Sequence, residues 1–523
     1  MRGPTEERAD ERAAELLAAA RAGDWATAAD VVDGYWVDLT MYGHLDAVGR
    51  VIASMPTENL LDPPTAGLIA ENIGRLEPGT VRYTLPEDPD ALGELGRSPR
   101  AASVISRSLA AMTARRRRGE HRDAMEFVRR GAVLARAAEF VGFRAVDEVL
   151  PFWHLQAGIT AFLADDMAEA RRLHRAAYRD RANSRYDIVA RDSAGNLAMI
   201  EALAGNLLEA DVWLRRAESE GHGPVWVGEL INTPIRVASG LVAMDRLDAE
   251  GYEPFIDHFA TAIDHDEHWP GLLVARVAMD LSFADVAGAQ ATLDAVLVSH
   301  EKWLGIGGIG ERFLVRAGAD LAMARGHAVR ARKILTSAED IAAPVQRARL
   351  ALLTGEAEEA RALVAGHEGS PEVTLRERIE LQLIGACADD AAGVPEQARR
   401  RLAEVLLLAG RHGNRRCFTT VPRAFLQAYA DQLPELVEVL DFLDGLSVRT
   451  IYPDRLDEVT LTAREQAVLE QLPGPRTLDE IASDAFVTTN TIKSQMRSLR
   501  EKLGARSRRE VVARARSLGL LDD

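Results

Sequence analysis

Cysteine is nearly absent. Cys387 and Cys417 are the only two in 523 residues, and they form no C-x-x-C pair. That excludes a disulfide framework and a thiolate metal site, and two free thiols in a reducing cytoplasm are expected. Aromatic residues make up only 5% of the chain. Lysine is scarce too: Lys302, Lys333, Lys493 and Lys502 are four of 63 basic residues, leaving 59 arginines. So general a bias fits a G+C-rich genome and is no sign of an arginine requirement. No uninterrupted apolar run approaches the ~20 residues that span a bilayer. The opening MRGPTEERADERAAE is charged and lacks an apolar core, so no signal peptide is expected and the cytoplasm is the expected location. There is no G-x-x-x-x-G-K-[ST] and no Gly-Lys dipeptide, which excludes a P-loop. No Ser/His/Asp, Cys/His or paired-carboxylate arrangement stands out. Enzymatic activity, a cofactor and a catalytic metal are therefore not expected.

What is present is concentrated at the C-terminal end. Residues 461–521 carry three capping boxes, Thr462-x-x-Glu465, Thr477-x-x-Glu480 and Ser507-x-x-Glu510. In each, a hydroxyl accepts from a free backbone N–H and a carboxylate reaches back. Thr488 and Thr489 mark a further start, so four short helices are predicted. The second ends near Asp484 and the third begins near Thr488, a gap that suits a helix-turn-helix. From Ala485 to Arg516 there are nine basic and two acidic residues, a balance of +7. The third helix has Ile492, Met496, Leu499 and Leu503 on one face and Lys493, Ser494, Arg497 and Arg500 on the other. An apolar back and a basic front let a helix pack on its own domain while docking in a major groove.

These residues resemble the DNA-binding domain of the LuxR/GerE family of bacterial transcription regulators. The matching landmarks are Leu461-Thr462-x-Arg464-Glu465, Glu480-Ile481-Ala482, Asn490-Thr491-Ile492-Lys493, Lys502-Leu503-Gly504, Ser507-Arg508 and Leu518-Gly519-Leu520-Leu521. Gln495 departs from the family's frequent His, and Pro473-Gly474-Pro475-Arg476 replaces a flexible loop. The resemblance implies that Lys493, Ser494 and Arg497 face base edges. It implies that Thr488, Asn490, Thr491 and Arg500 contact phosphate or position the helix, and that Arg506 and Arg508 contact the DNA backbone. It also implies a homodimer on double-stranded promoter DNA, formed through the last helix at about 508–518.

The other residues are of opposite character. The formal net charge is −17, and residues 461–523, with 11 basic and 9 acidic residues, hold +2 of it. Residues 1–460 thus carry −19 and would be repelled by phosphate. They show almost no strand signal. A turn pattern recurs: a small residue, a polar turn residue, and Ala five positions after the first. It appears at Gly23–Ala28, Gly119–Ala124, Asp165–Ala170, Gly205–Ala210, Ala284–Ala289, Gly326–Ala331, Gly355–Ala360 and Gly393–Ala398. The alanines are 96, 46, 40, 79, 42, 29 and 38 residues apart, and degenerate copies could fill the two long gaps, with Gly251–Ile256 a candidate for the second. Helix pairs joined this way cannot bury their apolar faces alone, so they stack. The pattern resembles tetratricopeptide repeats with a loosened period. The fold expected is all-α, a TPR-like helical-repeat superhelix followed by a four-helix helix-turn-helix domain.

Four segments follow: an N-terminal helical region at 1–100, repeats at 101–446, a linker at 447–459 and the DNA-binding module at 460–523. Residues 1–62 resemble the stretch that follows the nucleotide-binding domain of large MalT-type regulators, here without that ATPase. The reading is a transcription regulator whose body senses a small-molecule inducer or regulatory protein, with RNA polymerase a further partner. The alternative is a scaffold tethering a partner protein to DNA. Gly305–Gly310 matches G-x-G-x-x-G but lacks a preceding strand, so it reads as an inter-helix turn. His265 and His268 could share a metal at helical spacing but read as a solvated helix end. Arg115–Arg118 reads as a solvated helix terminus. Trp153, Trp213, Trp226, Trp269 and Trp303, with Tyr178, Tyr186 and Tyr252, are core candidates, some of which could line a groove.

Overall fold

The computed structural model describes residues 4–142, 144–221 and 225–521. Among the described residues there are 28 α-helices and no strand. All eight turns of the repeating pattern form as the residue types dictate. In each, the first residue takes positive φ, between 62° and 87°, and the last is an alanine with 0% exposure. Where the turn residue is Asp24, Asp166 or Asp285, its carboxylate caps the next helix by accepting from the backbone N–H three residues on. The alanine is small because the partner helix crosses there, leaving room for one methyl.

The turns join antiparallel pairs. They are Pro4–Ala22 with Trp25–Met41, Ala101–Arg117 with His121–Val141, Arg144–Leu163 with Met167–Arg179, and Ile188–Ala204 with Leu207–Ser219. Then come Val225–Arg246 with Ala249–Ala262, Trp269–Ser282 with Val286–Ser299, Ile309–Ala324 with Ala328–Ser337, Pro344–Leu353 with Ala357–His367, and Leu375–Ala391 with Pro395–His412. From Ala101 onward the first helix of each pair packs on the first helix of the next. The second long gap is filled by a ninth turn, at Leu247-Asp248 rather than Gly251. Leu247 has φ 58° and Asp248 caps the next helix. Tyr252, 1% exposed, stands in the alanine's place. The first long gap holds no such pair. Short helices Leu45–Ser54, Thr57–Leu61, Pro64–Asn72 and Pro89–Gly96 fill it instead.

Several expectations are corrected by packing. The arginine run is not a solvated face. Arg116 is 4% exposed and donates to Glu267 at 2.9 and 3.0 Å, and to Gln156. Arg118 pairs with Glu71 and Glu120, and Arg115 lies 4.6 Å over the Phe127 ring. Only Arg117 of the four is exposed. His265 and His268 do not converge: His265 is exposed, whereas His268 is buried between Asp266 and Asn196. The glycine run does form an inter-helix turn, with Gly305, Gly307 and Gly308 at positive φ after the helix Val286–Ser299. Trp153, Trp213, Trp269, Tyr186 and Tyr252 are buried core, while Trp303 and Tyr178 are half-buried. The Trp226 side chain lies outside the described residues. Cys387 and Cys417 are buried free thiols. Among the described residues no helix is long and apolar enough to cross a membrane.

The segment 447–459 is laid across the body rather than left as a free tether. Val448, Ile451, Tyr452 and Leu456 are buried. Ile451 N donates to Thr419 O and Leu456 N to Leu353 O, both at 2.8 Å.

Candidate nucleic-acid interface

The four terminal helices run Ala463–Glu470, Leu478–Asp484, Thr489–Leu503 and Arg508–Ser517. The first two start at reciprocal capping boxes. Thr462 and Thr477 accept from the N–H of Glu465 and Glu480 at 3.3 Å, and each carboxylate accepts from its threonine N–H at 2.7 Å. The fourth differs. Ser507 accepts from Glu510 N at 3.1 Å, but the Glu510 carboxylate reaches one residue further, to Arg506 N. Thr488 caps the third helix by accepting from Thr491 N at 3.2 Å, and their hydroxyls meet at 2.9 Å. Ile492, Met496, Leu499 and Leu503 are buried against Leu469, Ile481 and Val511.

Three hydrogen bonds fix the third helix against its neighbours. At its N-terminus Thr489 donates to Asp479 of the second helix at 2.7 Å. Nearer its C-terminus Lys502 Nζ and Ser498 Oγ both donate to the Glu465 carboxylate, at 2.7 and 2.5 Å. Those two donors, with the Thr462 N–H, hold Glu465 down to about 2. This clamp of Glu465, Ser498 and Lys502 was not anticipated as a unit. Ser498 and Lys502 lie 33 and 37 positions after Glu465, and the one signal was that Lys502 is among only four lysines.

The opposite face of the third helix is open. Asn490, Lys493, Ser494, Arg497 and Arg500 are exposed, and Thr491 is half-buried. The side chains of Lys493, Arg497 and Arg500 make no hydrogen bond or ion pair with any described residue. This contrasts with the body, where Arg116, Arg349, Arg376 and Arg416 are all paired. Arg506 is exposed as well, and its guanidinium engages no described residue. Arg508 is different: its guanidinium donates to Leu472 O at 3.1 Å, Gly474 O at 3.0 Å and Arg476 O at 2.5 Å. It thereby ties down the Pro473–Arg476 loop. The turn between the second and third helices exposes Phe486, at φ 53° and 96% exposure.

The body meets this domain at its other end. Val329 packs against the terminal core. A Cβ on Gly519 would lie 2.5 Å from His327 Cβ. Arg514 reaches Asp457 at 3.4 Å, and Arg332 of the body pairs with Glu458 at 2.7 Å. The basic face of the third helix is left uncovered by this docking. A helix of 15 residues, buried on one side and bearing free cations on the other, has the form that enters a major groove.

Comparison with known proteins agrees with this geometry. Residues 459–515 match the model of the family described as bacterial regulatory proteins, luxR family. The chain is also 34% identical over 62 residues to the spore germination protein GerE of Bacillus subtilis (strain 168). That match covers 84% of the relative but 12% of this chain, so the likeness concerns the terminal domain. Through that domain the chain belongs to the luxR family of bacterial regulatory proteins.

Proposed function

We propose that this protein is a sequence-specific transcription regulator. Its stacked helical body, tetratricopeptide-like and akin to that of MalT-type regulators, receives a small-molecule or protein signal and controls the terminal helix-turn-helix. The observation that carries the reading is the exposed third-helix face, on which Lys493, Arg497 and Arg500 have no acidic partner among the described residues of an otherwise acidic chain. Lys493, Ser494 and Arg497 read base edges; Asn490, Arg500 and Arg506 contact phosphate. Thr488 and Thr491 hold the helix N-terminus, and Arg508 acts as a positioning residue for the preceding loop. Two copies pair through the fourth helix and bind promoter DNA with their third helices, so half-sites lie about one helical turn apart.

The test is selection of binding sequences from a random duplex pool by the full chain, followed by footprinting. The reading expects a two-fold-related site with two protected half-sites. Failure to enrich any sequence over bulk DNA refutes it.

A further inference from the structure

The turn between the second and third terminal helices carries a side chain that its backbone disfavours. Phe486 lies just past the end of the helix Leu478–Asp484 and has φ 53°. Its N–H donates to Ser483 O at 3.2 Å and the Val487 N–H donates to Ala482 O at 3.0 Å, which closes the helix end. A helix closed in this way usually has glycine, and sometimes asparagine, at the left-handed position. A bulky side chain there is an outlier.

The fold makes no use of this one. Four other non-glycine residues have positive φ among the described residues: Asp165, Leu247, Ala284 and Ser447. Of these only Leu247 is large and apolar, and it is 3% exposed, so burial offsets its strain. Phe486 is 96% exposed, the most exposed large apolar side chain among the described residues. The ring therefore adds nothing to the packing of the free chain, while the turn geometry selects against it. Strain kept where the fold does not use it points to a contact outside the chain.

The place of the turn in the domain identifies that contact. In a docked helix-turn-helix the recognition helix has its N-terminal residues at base edges, while the helix before it crosses the DNA backbone. The turn that joins the two helices sits at the rim of the major groove. Phe486 is two residues before Thr488, which caps the third helix, and four before Asn490 on its open face. The run from Ser483 to Thr488 is exposed without interruption. The neighbouring carboxylates are engaged: Asp484 pairs with Arg476 at 2.7 Å, and Asp479 accepts from Thr489 at 2.7 Å. The major groove offers an apolar ring one base-specific partner, the C5 methyl of thymine.

We propose that Phe486 packs on a thymine C5 methyl at the edge of each half-site, adding an apolar base contact to the polar contacts of the third helix. The proposal rests on the reading of that helix as the element that enters the major groove.

The test compares the full chain with Phe486→Gly and Phe486→Asn. Both replacements accept the left-handed backbone and remove the ring. Native-state hydrogen exchange across Leu478–Leu503 should be no faster in either variant than in the parent. Each thymine of one selected half-site is then replaced in turn by deoxyuridine, which lacks only the C5 methyl, and Kd is measured by fluorescence anisotropy. At one position the parent should lose about fourfold, the worth of one buried methyl. There both variants should bind the thymine and deoxyuridine duplexes equally, and neither more tightly than the parent binds the deoxyuridine duplex. Three results overturn the contact while leaving the third helix as a DNA reader. The first is a deoxyuridine profile that is the same in parent and variants, or a selected half-site without thymine. The second is a Phe486→Gly chain that binds the selected duplex as tightly as the parent, as it would if the ring served a protein partner. The third is faster exchange in both variants, which would give the ring a role within the chain. A chain that enriches no sequence at all overturns both the contact and the reading of the third helix.

Discussion

Replacing Glu465 by Ala should loosen the third terminal helix without touching its exposed face. The carboxylate accepts from Lys502 Nζ at 2.7 Å, Ser498 Oγ at 2.5 Å and Thr462 N at 2.7 Å. The loss of half a capping box costs about 0.5–1 kcal/mol. The bond from Lys502 is charge-assisted but on a partly exposed cation, so its share is about 1 kcal/mol rather than the upper range for buried pairs. Ser498 adds about 1 kcal/mol. The sum, about 2.5–3 kcal/mol, is local to the junction of first and third helices. Native-state hydrogen exchange of the full chain reads it directly. Amide protection across Thr489–Leu503 should fall roughly 70- to 160-fold, while the repeat helices keep theirs. Glu465→Gln should lie between, since it retains an acceptor but loses the charge. The carboxylate's low proton affinity gives the pH sign. Its folded value is below the unfolded one, so its contribution is present above the ordinary carboxylate range and lost as pH falls toward about 2. Protection unchanged within threefold in Glu465→Ala would refute the clamp.

Three further outcomes follow from packing and titration. Ala170→Leu and Ala289→Leu, each at a 0%-exposed crossing, should lower stability by about 1–3 kcal/mol in urea unfolding through overpacking. Burial pushes the His154 imidazole down to about 4 from an ordinary 6.5. The unfolded chain then binds more protons between these values, so stability falls as pH drops from 7 to 5. His154→Gln should remove about 2 kcal/mol of that fall, measured by unfolding at both pH values. Tyr452→Ala, which empties a 6%-exposed site and strips Asp320 of a donor, should cost about 3–5 kcal/mol and expose the segment 447–459 to limited proteolysis.

The repeat turns were legible in the sequence because positive φ and a tight crossing each demand a narrow set of residues. Glycine, aspartate or alanine followed five positions on by alanine marked eight of them. The ninth was misplaced because Leu247 and Tyr252 meet the same geometry with the wrong residue types. The helix starts in the terminal domain were legible because capping boxes are local. What sequence could not show was pairing over distance. Arg116 looked solvated because Glu267 is 151 positions away, and the three carbonyls that take up Arg508 lie 32 to 36 positions earlier. The segment 447–459, read from the sequence as a short linker, buries Ile451, Tyr452 and Leu456.

Fluorescence anisotropy of the full chain on its selected sequence and on bulk duplex reports whether the open face of the third terminal helix reads DNA. Lys493→Ala and Arg497→Ala are compared with Arg378→Ala, an exposed arginine on the body. Arg497→Ala should lose about 1–3 kcal/mol on the selected sequence and much less on bulk duplex, as a base contact requires. Arg378→Ala should match the parent on both. If Lys493→Ala and Arg497→Ala bind the selected sequence as tightly as the parent, the third helix does not read DNA and the account is wrong.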